Sequence, residues 1–188
     1  AFQQLGSQVI QVERGNRLLP REDADASELV TVSLGSAGVD LRLNHQAERF
    51  ELRNGTPTVL CRSQDSDQSV EIEFDCVLVA LGRVANTSGY GIETLGLAVR
   101  DNGTLDTNEY LATRFPNVFA VGDVTGPYQF THAASHQAWY AAVNALFGSF
   151  RRFKVDYRVL PHCTFTDPEV ARVGLSETEA QEQGVEYE

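Results

Sequence analysis

The sequence contains no methionine and only three cysteines and one tryptophan in 188 residues. Cys61, Cys76 and Cys163 stand far apart and form no CxxC, CxxxxC or zinc-type spacing, so no paired redox thiol or cysteine metal motif is present. Isolated thiols are typical of buried cysteines in a reducing compartment, and we therefore expect a cytoplasmic location. No initiator methionine opens the chain, and its first residues read as the end of a helix, so we expect a piece of a longer protein.

Positive charge is also scarce, because 15 Lys and Arg face 26 Asp and Glu, for a net charge of −11. This balance lacks the electrostatic footprint of a nucleic-acid-binding protein. No apolar run approaches the roughly 20 residues that a transmembrane helix needs, and no signal peptide opens the chain. We therefore expect no nucleic-acid partner and no membrane segment in this stretch. The 42% of hydrophobic residues supplies enough apolar material for a packed core.

The hydrophobic pattern predicts strands and helices in mixed order. Alternating segments predict strands at residues 8–13, 39–43, 47–52, 58–62 and 70–74, and a weaker pattern predicts a helix over 27–34. Asn54-Gly55 is a strong hairpin signal between two of these strands. Residues 76–80 (CVLVA) and 118–121 (VFAV) are apolar throughout, as is typical of strands buried on both faces of a parallel sheet.

The second half of the chain adds two helices and a strand pair. Residues 133–147 are rich in alanine and predict a helix that stops at Gly148. Beyond residue 158 the pattern predicts strand, turn and strand, followed by a helix that Ser176 and Glu179 cap as a capping box. These elements indicate an α/β fold spread over more than one domain.

The strongest local motif is VFAVGDVTG, residues 118–126. A buried strand ending in Gly122-Asp123 presents a carboxylate at the edge where open α/β sheets bind ligands. Glycine lets a ligand approach the backbone, and aspartate accepts hydrogen bonds from sugar hydroxyls. A simple turn with a capping aspartate is the alternative interpretation of this motif taken alone.

A short loop separates this aspartate from the N-terminus of the alanine-rich helix. The free N–H groups near His132, Ala133 and Ala134 form an anion site that the helix dipole reinforces. The alanines leave room for a flat ring. A sugar-binding carboxylate one loop away from an anion site is what a negatively charged flavin would need.

Four segments carry a family resemblance: LVALGRVANT (78–87), TNEYLATRFPNVFAVGD (107–123), FTHAASHQAW (130–139) and FTDPEVARVGLSETEA (165–180). Together they resemble the pyridine nucleotide-disulfide oxidoreductases, and most of all the mercuric reductase and dihydrolipoamide dehydrogenase-like members. The resemblance implies Rossmann-like FAD- and NAD(P)-binding segments plus the start of an α+β dimer-interface domain. Residues 1–83 would be the later part of the NAD(P)H domain, 84–157 the second FAD segment, and 158–188 the start of the dimerisation domain of a homodimer.

The resemblance also implies roles for individual residues. Gly122 and Asp123 would hold the ribityl chain of FAD. Gly82, within the segment from Ala80 to Arg83 that matches the family's Ala-Thr-Gly-Arg motif, would lie near the nicotinamide nucleotide. Leu81 and Ala85 replace the common threonine and proline, which we expect to be tolerated. The flavin pyrimidine edge would meet the backbone around Phe130, Thr131, His132, Ala133 and Ala134.

Two neighbouring residues give conflicting signals about the nicotinamide cofactor. Glu13 ends a Rossmann second strand, where a carboxylate binds the adenosine ribose and favours NADH. Arg14 follows, where NADPH-using relatives often carry an arginine, whereas Pro20 matches the NADH pattern. We favour NADH, and Ala47 would touch the same cofactor.

The resemblance places the reacting groups outside this chain. The FAD glycine fingerprint, the redox CxxxxC and the nucleotide GxGxxG would precede residue 1, and a histidine-glutamate pair would follow residue 188. We therefore assign no catalytic residue. The implied activity passes hydride from NAD(P)H to FAD and on to a disulfide, lipoamide or metal-ion acceptor. The alternatives are an NADH oxidase or quinone-type flavoprotein without redox cysteines, and an inactive structural fragment.

His132 and His136 are four residues apart on one predicted helix, which is the spacing of paired metal ligands. No third ligand has suitable spacing, so we expect no metal site and assign these histidines to the helix cap or the flavin edge. Cys163 falls in the predicted interface-domain strand, where we expect it to pack.

Overall fold

The computed structural model describes residues 1–187, which form two compact units. One unit combines Ala1–Val79 with the segment from Pro161 onward, and the other is Ala80–Leu160. No helix in the described part of the chain is both long and apolar enough to span a membrane. The three-part division at residues 83 and 157 stays a prediction.

The first unit opens with a βαβ arrangement. A single 3-10 turn, Gln3–Leu5, ends at Gly6 in a left-handed conformation. β1 (Ile10–Val12), α1 (Ala24–Ser36) and β2 (Asp40–Arg42) follow, and the two strands pair in parallel with Ile10 opposite Asp40. Parallel neighbours need a crossover connection, which α1 provides. The predicted strand, helix and strand are confirmed, with a longer helix and shorter strands.

A three-stranded antiparallel sheet comes next, with β4 in the centre. Its strands are β3 (His45–Arg53), β4 (Thr56–Ser63) and β5 (Ser69–Glu73). Asn54 and Gly55 connect the first two with φ of 51° and 87°, the positive values that a type I′ hairpin turn requires. Cys61 packs with Val59 and Ile72 in the buried core, and burial raises the pKa of its thiol.

The all-apolar segment at residues 76–80 is not a strand, so that prediction is wrong. Val77, Leu78 and Val79 are 52%, 78% and 64% exposed. An apolar run becomes a buried strand only where neighbouring strands pair with it, and none of the strands formed by residues 1–187 does so. The apolar composition of this segment is therefore not sufficient to make it a strand.

The second unit contains α2 (Ile92–Leu95) and α3 (Thr131–Phe147). Residues 118–121 make a single bridge, between Phe119 and Ala112, instead of the predicted strand. Their burial is confirmed at Ala120, which packs with Ile92 and Leu105. The predicted alanine-rich helix is also confirmed and begins two residues earlier than expected. One of its faces is buried through Ala133, Gln137, Ala141 and Asn144.

The segment from Pro161 belongs to the first unit. β6 (His162–Thr164) and β7 (Val170–Arg172) pair antiparallel, and α4 (Glu177–Glu182) follows. Ser176 and Glu179 form the predicted capping box, and Cys163 lies partly buried in β6, as predicted. The buried carboxylate of Glu22 bonds to His162 at 3.2 Å and Arg172 at 3.1 Å, which joins this segment to the loop before α1.

Candidate flavin and nucleotide sites

A tight turn presents Asp123 to solvent in the second unit. Val121 is extended, and Gly122–Val124 then form one turn of 3-10 helix. Gly122 has φ of 79°, a backbone conformation that residues with a side chain rarely adopt. A Cβ added at Gly122 would lie 3.3 Å from the Cβ of Ala134. The turn therefore needs glycine both for its backbone conformation and for its close packing on α3.

The carboxylate of Asp123 is free to receive a ligand. The residue is exposed, and its side chain has no hydrogen-bond or ion-pair partner among residues 1–187. Its oxygens can accept hydrogen bonds only. A polyol or ribose hydroxyl donor suits this group.

The N-terminus of α3 lies across a short loop from this carboxylate. Phe130 occupies the N-cap position without a side-chain cap bond, and the first helical bond runs from the N–H of Ala134 to its carbonyl at 3.0 Å. The helix dipole makes the N-terminus of an α-helix attractive to negative charge. Ala133 is fully buried, whereas Thr131 and His132 are exposed.

Aromatic rings line the start of the helix. The ring of Phe130 stacks on His132 with centroids 5.3 Å apart and planes within 6° of parallel. The ring of Tyr128 also stacks on that of Phe130, with the two centroids 6.3 Å apart. Flat parallel rings beside a helix N-terminus provide a surface against which another planar ring can lie.

The segment from Ala80 to Arg83 reaches this same loop. A guanidinium nitrogen of Arg83 donates to the carbonyl of Gln129 at 2.7 Å. Gly82 has φ of 107°, and both it and Ala80 are exposed. Arg83 therefore contacts the loop that precedes α3.

Gln137 is a site neighbour that the sequence did not single out. Its side chain is completely buried on α3, and its Oε1 accepts the backbone N–H of Gly122 at 2.5 Å. Its Nε2 donates to the carbonyl of Gly126 and to the hydroxyl of Tyr157. The available signal was an amide at the helical position between Ala133 and Ala141, on the face that also carries Asn144.

The predicted nucleotide residues lie in the first unit. Glu13 directly follows β1, at the carboxyl end of the parallel pair, and its Oε1 accepts the N–H of Gly15 at 2.7 Å. The Glu13 carbonyl accepts the N–H of His45 at 2.9 Å, and Ala47 lies two residues further along β3, exposed. Arg14 is exposed and makes no side-chain hydrogen bond or ion pair within residues 1–187. Glu13 therefore keeps one carboxylate oxygen for a ligand beside a free arginine.

The two histidines on α3 contact different groups. The Nε2 of His136 bonds to the carbonyl of Asp156 at 2.7 Å, while the ring of His132 stacks on Phe130. Within the described chain, no three His, Cys, Asp or Glu side chains are grouped as metal ligands.

Comparison with known proteins gives the same family as the motifs. Residues 1–138 match the profile of the pyridine nucleotide-disulphide oxidoreductases, and residues 160–188 match the dimerisation domain of that family. The mercuric reductase of Staphylococcus aureus is 38% identical over 183 residues, covering 97% of this chain and 33% of the relative. The dihydrolipoyl dehydrogenase of Chlamydia muridarum is 33% identical over 184 residues, covering 98% and 38% respectively.

A solved structure agrees with these relatives. The HOCl-induced flavoprotein disulfide reductase of Escherichia coli superimposes with a TM-score of 0.82 at 31% identity, covering 98% of this chain and 41% of that one. The chain thus spans well under half the length of the proteins it matches. It belongs to the pyridine nucleotide-disulphide oxidoreductase family.

Proposed function

We propose that this chain is part of a flavoprotein oxidoreductase that takes electrons from NAD(P)H through FAD to a disulfide, lipoamide or metal-ion acceptor. FAD and NAD(P)H are the cofactors of the family to which the chain belongs. The observation that carries the proposal is the exposed carboxylate of Asp123, which has no side-chain partner among residues 1–187 and lies one short loop from the N-terminus of α3.

The residues present fit FAD. Asp123 would accept a hydrogen bond from a ribityl hydroxyl, and Gly122 keeps the backbone free of a side chain at that point. The N–H groups at the start of α3 would meet the electronegative pyrimidine edge of the flavin. The stacked rings of Phe130 and His132 provide an apolar boundary for a planar ligand.

When bound, FAD supplies the two-electron chemistry and accepts hydride from the nicotinamide. The contribution of this chain is to hold the two cofactors. In the first unit, Glu13 would accept a hydrogen bond from the 2′-hydroxyl of the adenosine ribose, which favours NADH. In the second unit, Gly82 has no side chain and would let the nicotinamide nucleotide approach its backbone. The hydrogen bond from Arg83 to Gln129 stabilises the loop before α3.

Further parts of the proposal concern the whole protein. The dimerisation-domain match over residues 160–188 supports a homodimer. The mercuric reductase and dihydrolipoyl dehydrogenase relatives support a redox acceptor of the disulfide, lipoamide or metal-ion class. A cytoplasmic location belongs to the same proposal and rests on the widely spaced cysteines.

The test compares Asp123→Ala with Asp101→Ala in the full-length protein. Both aspartates are exposed in the second unit, so each variant removes one surface charge. Loss of one charge-assisted hydrogen bond should raise the Kd for FAD about tenfold in the Asp123 variant. The Asp101 variant should bind FAD as the wild type does. Equal FAD affinity in both variants would show that Asp123 does not hold the cofactor.

A further inference from the structure

The amide side chain of Gln137 is buried, and both of its polar atoms are hydrogen-bonded. Oε1 accepts the N–H of Gly122 at 2.5 Å, and Nε2 donates to the Gly126 carbonyl at 2.7 Å and to the Tyr157 hydroxyl at 2.8 Å. The side chain has no exposed surface. Buried polar groups are normally hydrogen-bonded, and a fully bonded group makes the structure around it more rigid.

The two backbone partners of Gln137 stand at opposite ends of the turn that carries Asp123. Within that turn, the N–H groups of Thr125 and Gly126 bond to the Gly122 carbonyl at 3.1 and 3.2 Å. These internal bonds close the turn, but neither ties it to α3. Among the hydrogen bonds within the described chain, those of Gln137 connect both ends of the turn to that helix.

We propose that Gln137 is a positioning residue for the flavin, an inference that rests on the function proposed above. Its amide fixes the Gly122–Gly126 turn on α3 and so fixes the distance between the Asp123 carboxylate and the helix N-terminus. The ribityl chain and the ring edge of one flavin can bind these two groups together only if the distance between the groups is fixed. Gln137 contributes to FAD affinity without touching FAD.

Tyr157 completes the arrangement by holding the amide. The phenol oxygen of Tyr157 accepts a hydrogen bond from Nε2 at 2.8 Å, and burial raises the pKa of this phenol. Without this contact the amide would have one bond fewer to fix its orientation.

Asn144 provides a matched control on the same face of the same helix. Its Oδ1 accepts the N–H of Phe153 at 2.8 Å, and its Nδ2 donates to the carbonyls of Phe153 and Tyr110 at 2.9 and 3.2 Å. It is also buried. Asn144 thus binds loop backbone as Gln137 does, but none of its partners lies in the turn that carries Asp123.

The experiment compares Gln137→Met and Asn144→Leu in the full-length protein, each an apolar replacement of similar size. Amide hydrogen exchange in the apoprotein reports the backbone contacts, and reconstitution with FAD reports affinity. We expect Gln137→Met to accelerate exchange at residues 122–126 and to raise the Kd for FAD about tenfold. We expect Asn144→Leu to accelerate exchange at Phe153 and to leave the Kd close to wild type.

Equal effects of the two variants on the Kd, or an unchanged Kd in Gln137→Met, would overturn the inference while leaving the proposed function standing. A wild-type protein that binds no FAD would overturn both. If Gln137→Met does not fold, Tyr157→Phe decides: faster exchange at residues 122–126 with a higher Kd supports the inference, and no change in either overturns it.

Discussion

The buried carboxylate of Glu22 accepts a hydrogen bond from Nε of Arg172 at 3.1 Å, although 150 positions separate the two residues in the chain. The same guanidinium bonds to Glu179, whose carboxylate also accepts the N–H of Ser176 at 2.8 Å. One arginine therefore connects the loop before α1 to the capping box of α4. This network explains why the segment from Pro161 packs within the first unit.

The capping box makes the stability of α4 depend on pH. The backbone N–H of Ser176 and the neighbouring Arg172 guanidinium lower the pKa of Glu179 below its ordinary value of 4.5. A carboxylate with a lowered pKa stabilises the fold above its unfolded pKa, and that stabilisation is lost as pH falls through its folded pKa. We expect the hydrogen-exchange protection of the Ala180 amide to decrease as the pH falls below 4.5.

Glu179→Gln should remove this pH dependence, because the amide carries no titrating charge. Glu182→Gln removes an equal charge from an exposed position of the same helix and should leave the wild-type curve. A wild-type pH dependence in the Glu179 variant would contradict the role given to this carboxylate.

Gly122→Ala should destabilise the protein more than Gly55→Ala does. Both glycines have positive φ, so both substitutions carry backbone strain of roughly 1–3 kcal/mol. Only the Cβ at Gly122 would meet another side chain, 3.3 Å from the Cβ of Ala134, whereas the space at Gly55 is open. We expect an additional cost of about 1 kcal/mol from overpacking, measured by urea unfolding of the full-length protein. Equal costs at the two positions would show that the turn does not pack closely on α3.

Glu13→Gln should lower kcat/KM for NADH about tenfold, because a charge-assisted hydrogen bond to the ribose becomes a neutral one. The amide oxygen can still accept the N–H of Gly15, so the turn after β1 is preserved. Glu28→Gln removes the same charge from an exposed position on α1 and serves as the control. Steady-state rates with NADH and NADPH measure the effect. If the ratio of kcat/KM for NADH to kcat/KM for NADPH is unchanged, Glu13 does not bind the nucleotide.

Elements with strong local signals were predictable from the sequence. Asn54-Gly55 specifies its hairpin through backbone conformation alone, and the Ser176–Glu179 capping box begins α4 through two short-range bonds. The alanine-rich helix was foreseen because its pattern extends over four turns. In each case the determining interactions lie within a few neighbouring residues.

Elements that depend on distant partners were not predictable in the same way. The segment at residues 76–80 has the composition of a buried strand, but composition cannot supply the neighbouring strands. Gln137 was missed because periodicity sorts residues by apolarity, and a buried amide then counts only as an exception. Its partners are backbone groups of Gly122 and Gly126, which no side-chain pattern displays. The pairing of Glu22 with Arg172 has no local signal at all.

The most direct test of the proposed function is an absorbance spectrum of the purified full-length protein before and after anaerobic addition of NADH. We expect a visible flavin band that is largely retained, because the electrons pass on to the thiols, with a long-wavelength charge-transfer tail from thiolate to oxidised flavin. Bleaching without that tail would contradict the disulfide-reductase assignment and favour a flavoprotein without redox cysteines. A protein with no flavin band would contradict the account as a whole.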